Sequence, residues 1–380
     1  MKKIMFVLII ATSLLFTIMS PSLAESVLTS DNSDEENTAD ASLELTLEEA
    51  IEITLEDSSA IEQAKIELEK SEIEYDEGKL FIRKNEDDYG EDSAAYLEQI
   101  AKNKIVNNLS WEIAQREYKD TIDEQIREVE EKYFDVLHAQ KNVEIYEENL
   151  KLAGELYEKT KKEFEVGKVT ELEVTSSELN YEKTLKELAE DENELQSLKM
   201  ELNILLGFDV MEDIVLTDEL EVKTFEEVDI TEAINTALEN DVDLLDAQLS
   251  YEAAIINMEV TSRTYPEITF EYREKAVELK EAEESLESVK KTVEKNVREK
   301  YSAVIQNQEG IHTTQKSVEY AQMVLDATTL SYDVGLKILT DVQEAQIDVL
   351  TEELTLAQDI LDYNIAILEF EESLGNEIEE

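Results

Sequence analysis

The stretch YFDVLHAQKNVEIYEENLKLAGELYEKTKKEFEVG, residues 133–167, has a counterpart further along the chain, YSAVIQNQEGIHTTQKSVEYAQMVLDATTLSYDVG, residues 301–335. The two align without a gap at a constant offset of 168, and the match continues to residues 207 and 375. Tyr133 falls on Tyr301, Val136 on Val304, Gln140 on Gln308 and Ala153 on Ala321. Val166-Gly167 falls on Val334-Gly335, Val174 on Val342, Leu188-Ala189 on Leu356-Ala357, and Leu206-Gly207 on Leu374-Gly375. Weaker echoes precede each copy: Ala50-Ile51 and Leu55 return as Ala233-Ile234 and Leu238. A repeat of this length is a whole supersecondary unit, so the chain is one helical design used twice.

Within each copy the apolar residues keep a seven-residue beat. Val136, Val143, Leu150, Tyr157 and Phe164 are followed three positions later by Ala139, Tyr146, Ala153 and Thr160. That is the a/d seam of coiled-coil packing. Beyond Gly167 it resumes with Val174, Tyr181, Leu188, Leu195 and Leu202; the second copy follows with Val304, Ile311, Val318, Leu325 and Tyr332, then Val342, Val349, Leu356, Tyr363 and Phe370. Small or polar residues at Ala139, Ala153, Ser177, Thr184, Ala321, Ala345 and Ala366 allow close approach but leave little apolar area for an isolated hairpin. Leu137, Ile145, Leu152, Leu156, Ile360, Ile367 and Leu374 lie off the seam, so these helices face more than one partner, either the other copy or another chain.

The expected class is therefore all-α: two tandem repeats of long antiparallel coiled-coil hairpins. Only 8 Gly and 2 Pro interrupt 380 residues, which favours few and very long helices. The expected spans are Thr46–Asp76, Asp92–Glu165, Leu172–Leu206, Thr231–Thr261, Glu274–Asp333 and Leu339–Leu374. The second of these reaches roughly 110 Å at 1.5 Å per residue. Residues 45–207 form the first repeat, 208–229 an irregular connector, 230–375 the second repeat and 376–380 an acidic tail.

Ahead of the repeats, Lys2-Lys3, the apolar run Ile4 to Met19 and Pro21-Ser22-Leu23-Ala24 read as a signal peptide over residues 1–24. An uncleaved signal anchor is the alternative. Residues 25–44, rich in Asp, Glu, Ser, Asn and Thr, read as an acidic disordered linker. Asp31-Asn32-Ser33-Asp34-Glu35 lacks the glycine and terminal glutamate spacing of a calcium loop. No later segment is long and apolar enough to span a membrane as a helix.

Asp and Glu number 94 against 34 Lys and Arg, a formal charge of −60. That field repels nucleic-acid phosphates and anionic lipid headgroups and attracts cations. Without cysteine there are no disulfides, thiolate metal sites or cysteine nucleophiles. The two histidines stand in Asp135-x-x-His138 and Glu309-x-x-His312, a spacing shared with di-iron bundles. They occupy non-equivalent repeat positions beside the seam, so no metal site is assigned. No glycine-rich phosphate loop occurs, and Ser176 and Thr340 have no histidine nearby in sequence. Trp111 reads as a packing or interfacial residue. Neither an enzyme nor a cofactor is expected.

The turns carry a resemblance. Tyr332-Asp333-Val334-Gly335-Leu336 followed by Leu339-Thr340-Asp341-Val342-Gln343-Glu344-Ala345-Gln346 resembles the hairpin tip of the TolC-like outer membrane efflux protein family, as does Phe164-Glu165-Val166-Gly167 followed by Leu172-Glu173-Val174. Leu45-Thr46-Leu47-Glu48-Glu49-Ala50, Tyr133-Phe134-Asp135-Val136-Leu137 and Leu205-Leu206-Gly207 are similar to the family's opening, entry and closing segments. The resemblance covers about residues 45–375. It implies a homotrimer whose hairpins build a hollow α-barrel, with tips directed at a periplasmic-adaptor-like protein and an ABC-type or other exporter. Carried over, Val166, Gly167, Val334, Gly335 and Leu336 would be docking-tip positions. Asp341 and Glu173 would sit just inside the tunnel entrance, where acidic side chains favour cations.

One departure from the family is large. Its members insert two β-strands in each repeat and pool them into an outer-membrane barrel, and a spanning strand needs roughly 9–11 alternating residues. Here the gaps offer only Lys79-Leu80-Phe81-Ile82-Arg83 and Tyr265-Pro266-Glu267-Ile268-Thr269-Phe270-Glu271-Tyr272. The chain thus reads as a TolC-like α-barrel protomer without its membrane β-barrel, exported to the envelope of a bacterium lacking an outer membrane. Two functions follow: a transport-associated conduit or scaffold docking an exporter adaptor, or an acidic coiled-coil envelope protein with no role in transport.

Overall fold

The computed structural model describes residues 43–90 and 93–375, and the signal peptide, most of the linker and the acidic tail assigned from sequence lie outside them. In each repeat a short helix and a medium helix lead to a 64-residue helix, which folds back into one of 35 or 36 residues. The first repeat holds α1 (Leu47–Asp57), α2 (Ser59–Asn85), the single turn α3 (Ala94–Tyr96), α4 (Lys102–Glu165) and α5 (Glu171–Leu205). The second holds α6 (Ile230–Asn240), α7 (Val242–Thr264), α8 (Phe270–Asp333) and α9 (Leu339–Leu374). A π-helical turn over Leu97–Ala101 leads into α4. At 1.5 Å per residue α4 and α8 each run ~96 Å.

The seven small or polar seam positions, Ala139, Ala153, Ser177, Thr184, Ala321, Ala345 and Ala366, are all buried, at 1% to 6% exposure. They set close hairpin packing of α4 on α5 and of α8 on α9. The off-seam residues join the repeats: α4 also packs on α9, where Ile145 meets Leu350 and Ala357, and Leu137 shares a cluster with Leu361 and Leu368. Towards the tips the order is therefore α5–α4–α9–α8; at the other end it is α2–α4–α7–α8. The central α9 is the most buried helix, and α5, α2 and one side of α8 form the edges.

Three expectations are corrected. The spans Thr46–Asp76 and Thr231–Thr261 are each two helices, broken at Ser58 and Asp241. Both residues are extended and cap the following helix with their side chains, Ser58 to the Ile61 amide and Asp241 to the Leu244 amide. A side chain that accepts from an orphan amide favours a helix start just after it when its own backbone is extended, and no glycine or proline marks either place. Leu43 and Glu44, assigned to the linker, belong instead to β1 (Leu43–Leu45). This strand pairs in parallel with β2 (Ile214–Leu216), inside the connector expected to be irregular. Tyr133 locks the pair: its hydroxyl donates to Asp218 Oδ2 at 2.7 Å, and the Leu45 carbonyl also accepts from it at 3.0 Å.

The gaps between the first helices hold no barrel strands, as expected: α2 runs on through Leu80–Asn85, and Phe270 already opens α8. Among the described residues β1 and β2 are the only strands, and no helix is long and apolar enough to cross a membrane.

The break at Asp241 has an electrostatic consequence. Burial, together with Asp123 and Asp241, pushes the Asp120 carboxyl up from 3.8 to about 6, against the opposing pull of Arg116. The folded chain holds this proton to higher pH than the unfolded chain, so ionisation works against the fold as pH rises through that interval. Asp120→Asn is expected to raise the melting temperature by about 2 °C at pH 7.5 and to leave it unchanged near pH 3.5, by calorimetry at both values.

Candidate functional site

The two hairpin tips are built alike. Val166 and Val334 end α4 and α8 at φ −96° and −95°, and Gly167 and Gly335 follow at φ 73° and 79°. The Gly167 and Lys168 amides donate to the Phe164 and Glu163 carbonyls, both at 2.9 Å; those of Gly335 and Leu336 donate to Tyr332 and Ser331 at 2.9 and 2.8 Å. This is the Schellman closure, which needs a left-handed residue directly after the helix. Glycine takes that conformation without the Cβ penalty. The turn therefore explains both glycines by itself.

The return helices restart on carboxylates. Glu173 Oε2 accepts from the Thr170 amide at 2.7 Å while Thr170 Oγ1 accepts from the Glu173 amide at 3.3 Å, a reciprocal capping box. In the second tip the cap is Ile338, which has no side-chain acceptor, so only the return half survives: Asp341 Oδ2 accepts from the Ile338 amide at 3.0 Å. Lys337 stands 3.5 Å from the Asp341 carboxylate. The two acids read from sequence as entrance residues thus cap the helices behind the tips.

The tips of one protomer are tied together. The Tyr332 hydroxyl donates to Glu163 Oε2 at 2.9 Å, and burial with this carboxylate raises the phenol well above its usual range. Lys159 pairs with Asp333 and places its ammonium 4.9 Å from the Tyr332 ring centroid. Deeper in, Ser176 Oγ donates to Gln343 Oε1 at 3.3 Å, joining α5 to α9. Beyond these ties the tips present apolar side chains beside the exposed Lys168 and Lys337: Leu336 is 80% exposed, Val166 70% and Val334 65%.

A further set of residues was not singled out from sequence. Leu172 and Leu179 on the α5 edge, and Tyr320, Met323 and Leu330 on the α8 edge, are largely exposed. Leu172 and Leu330 each lie five residues from the tip glycine of their hairpin, and Leu179 and Met323 each lie twelve. At the other end α2 exposes Ile66, Ile73 and Leu80, and α8 exposes Phe270 and Val277. The seven-residue spacing was the available signal. Only packing showed that these residues lie outside the protomer's own seams.

His138 is half-buried next to Asn142, and burial lowers its pKa; His312 is exposed. Among the described residues no group of three His, Asp or Glu side chains is arranged to hold a metal ion.

Long antiparallel hairpins in two repeats, turned at matched Schellman corners, agree with the comparisons. The family model described as outer membrane efflux protein matches residues 110–207 and 271–376, and the chain belongs to that family. Solved structures share the fold. The CmeC outer membrane channel of Campylobacter jejuni is 14% identical with a TM-score of 0.64, over 87% of this chain and 85% of that one. The outer membrane protein VceC of Vibrio cholerae is 15% identical with a TM-score of 0.68, over 88% and 97%. The open state of the MtrE outer membrane channel of Neisseria gonorrhoeae is 13% identical with a TM-score of 0.65, over 87% and 89%. No curated protein matches the chain.

Proposed function

We propose that three copies of this chain close into a helical conduit of the efflux type, standing outside the cytoplasmic membrane. The observation that carries this reading is the match between its two edges. α5 runs away from the tips and α8 runs towards them, so Leu172 stands level with Leu330 and Leu179 with Met323. At the far end α2 exposes Ile73 and Leu80 and α8 exposes Phe270 and Val277, so both edges stay apolar there too. Two different edges that fit one another make a heterologous contact, which closes into a ring when the rotation allows. The number three comes from the family resemblance. The absence of barrel strands among the described residues supports a place in an envelope with no outer membrane to cross.

On this reading Val166, Gly167, Val334, Gly335 and Leu336 face a periplasmic-adaptor-like protein, which in turn sits on an ABC-type or other exporter. Glu173 and Asp341 keep their capping duty at the entrance, where their remaining lone pairs favour cations. Leu336→Asp is expected to abolish capture of the adaptor while leaving the trimer intact, because it alters only the outermost apolar contact. Pull-down with the adaptor encoded beside an exporter, alongside mass photometry of the exported chain, tests both parts. A monomer or dimer at 0.15 M salt, where repulsion is screened beyond about 8 Å, would favour the non-transport structural reading.

A further inference from the structure

A groove of about 560 Å³ runs between α2 and α4 near the end opposite the tips. Gly78 lets α2 approach α4 at its floor: a Cβ there would lie 2.1 Å from Asn107 Oδ1, and the Asn107 side-chain amide is held by donating to the Tyr75 carbonyl at 3.0 Å. Tyr75 and Trp111 line the groove as a stacked pair, with centroids 5.6 Å apart and planes within 16°. Phe81, 44% exposed, completes the aromatic surface, and Glu74 and Glu77 supply carboxylates. The site is confined to the first repeat, since Leu279 occupies the position equivalent to Trp111.

In the proposed ring the Glu74 and Phe81 side of the groove stays open. At about 100° per residue, Ile66, Ile73 and Leu80 share one side of α2, and the buried Ile82 lies on the opposite side, towards α4. Glu74 and Phe81 fall roughly a quarter-turn from both, and Glu77 lies about 40° from Ile73, at the rim nearer the edge.

We propose that this groove binds an amphipathic organic cation, with its aromatic body against Phe81 and Trp111 and its charge towards Glu74 and Glu77. Charge complementarity selects this class: aromatic faces attract cations, and a chain of net charge −60 raises their local concentration. The molecule already shows the preference internally, for the Lys79 ammonium lies 4.6 Å from the Tyr75 ring centroid. The groove is complete in one protomer, so the inference does not depend on the conduit.

Trp111 is the only tryptophan in the chain, which makes its fluorescence a reporter of this groove alone. Titration of the full chain with N-benzylpyridinium is expected to give saturable quenching that weakens with added salt. Neutral 4-benzylpyridine at pH 8 should bind far more weakly. Glu74→Gln with Glu77→Gln should raise the half-saturating concentration about tenfold, and Phe81→Ala should raise it several-fold. Circular dichroism of each variant separates loss of binding from loss of fold. Linear quenching with one slope in all folded variants would overturn the proposal. So would equal binding of the neutral analogue, or saturable binding of chitotriose in place of the cation, which would mark a glycan groove.

Discussion

Leu179→Glu is expected to leave the chain folded but unable to close the proposed ring, so that light scattering at micromolar concentration shows monomers in place of the trimers expected of the parent chain. Leu179 is 70% exposed in the protomer and touches no core cluster, so its replacement costs the isolated fold little. In the ring it would stand against Met323 of the next copy. Burying a leucine contributes about 2 kcal/mol, and placing an unpaired carboxylate there adds a desolvation cost of several kcal/mol. The change occurs at all three contacts of a closed ring. Met211→Glu, similarly exposed on the connector and outside the Leu172–Leu330 and Leu179–Met323 levels, should leave the mass unchanged. If Leu179→Glu still forms trimers, the α5–α8 contact is not the interface.

Phe370→Ala should produce the largest loss of stability, about 3–5 kcal/mol, read as a shift in the urea midpoint monitored by helicity. The ring is 1% exposed near the end of α9. It meets Phe225 edge-on at 5.7 Å and Tyr301 at 5.6 Å, so the aromatic cluster joins α8, α9 and the connector. Truncation leaves a cavity that three separately anchored elements cannot close. Its counterpart in the first repeat, Leu202, is fully buried but is smaller and not aromatic. Leu202→Ala should therefore cost less, and the reverse order would refute the account of α9 as the central helix.

Much of the site was written in local pattern. The Val-Gly corners at 166–167 and 334–335 followed from glycine after a helical run, and the structure brings both to one end of the molecule. Thr170-x-x-Glu173 also carried a capping signature, although the sequence reading assigned Glu173 to an entrance. The breaks at Ser58 and Asp241 were harder to see, because a cap is a matter of backbone conformation and serine or aspartate can equally ride inside a helix. Pairing of Leu43–Leu45 with Ile214–Leu216 joins segments about 170 residues apart, and each strand is too short to show an alternation.

Repetition, heptad rhythm and the glycine corners were settled by the order of residues alone, because each depends on neighbours within a few turns of one helix. Which seam meets which helix was settled only in three dimensions. Leu137 and Leu179 are both apolar residues spaced for a helix face, yet one is buried against α9 and the other is left at an edge. Burial is a property of what lies opposite, and a periodic sequence names the face without naming its partner.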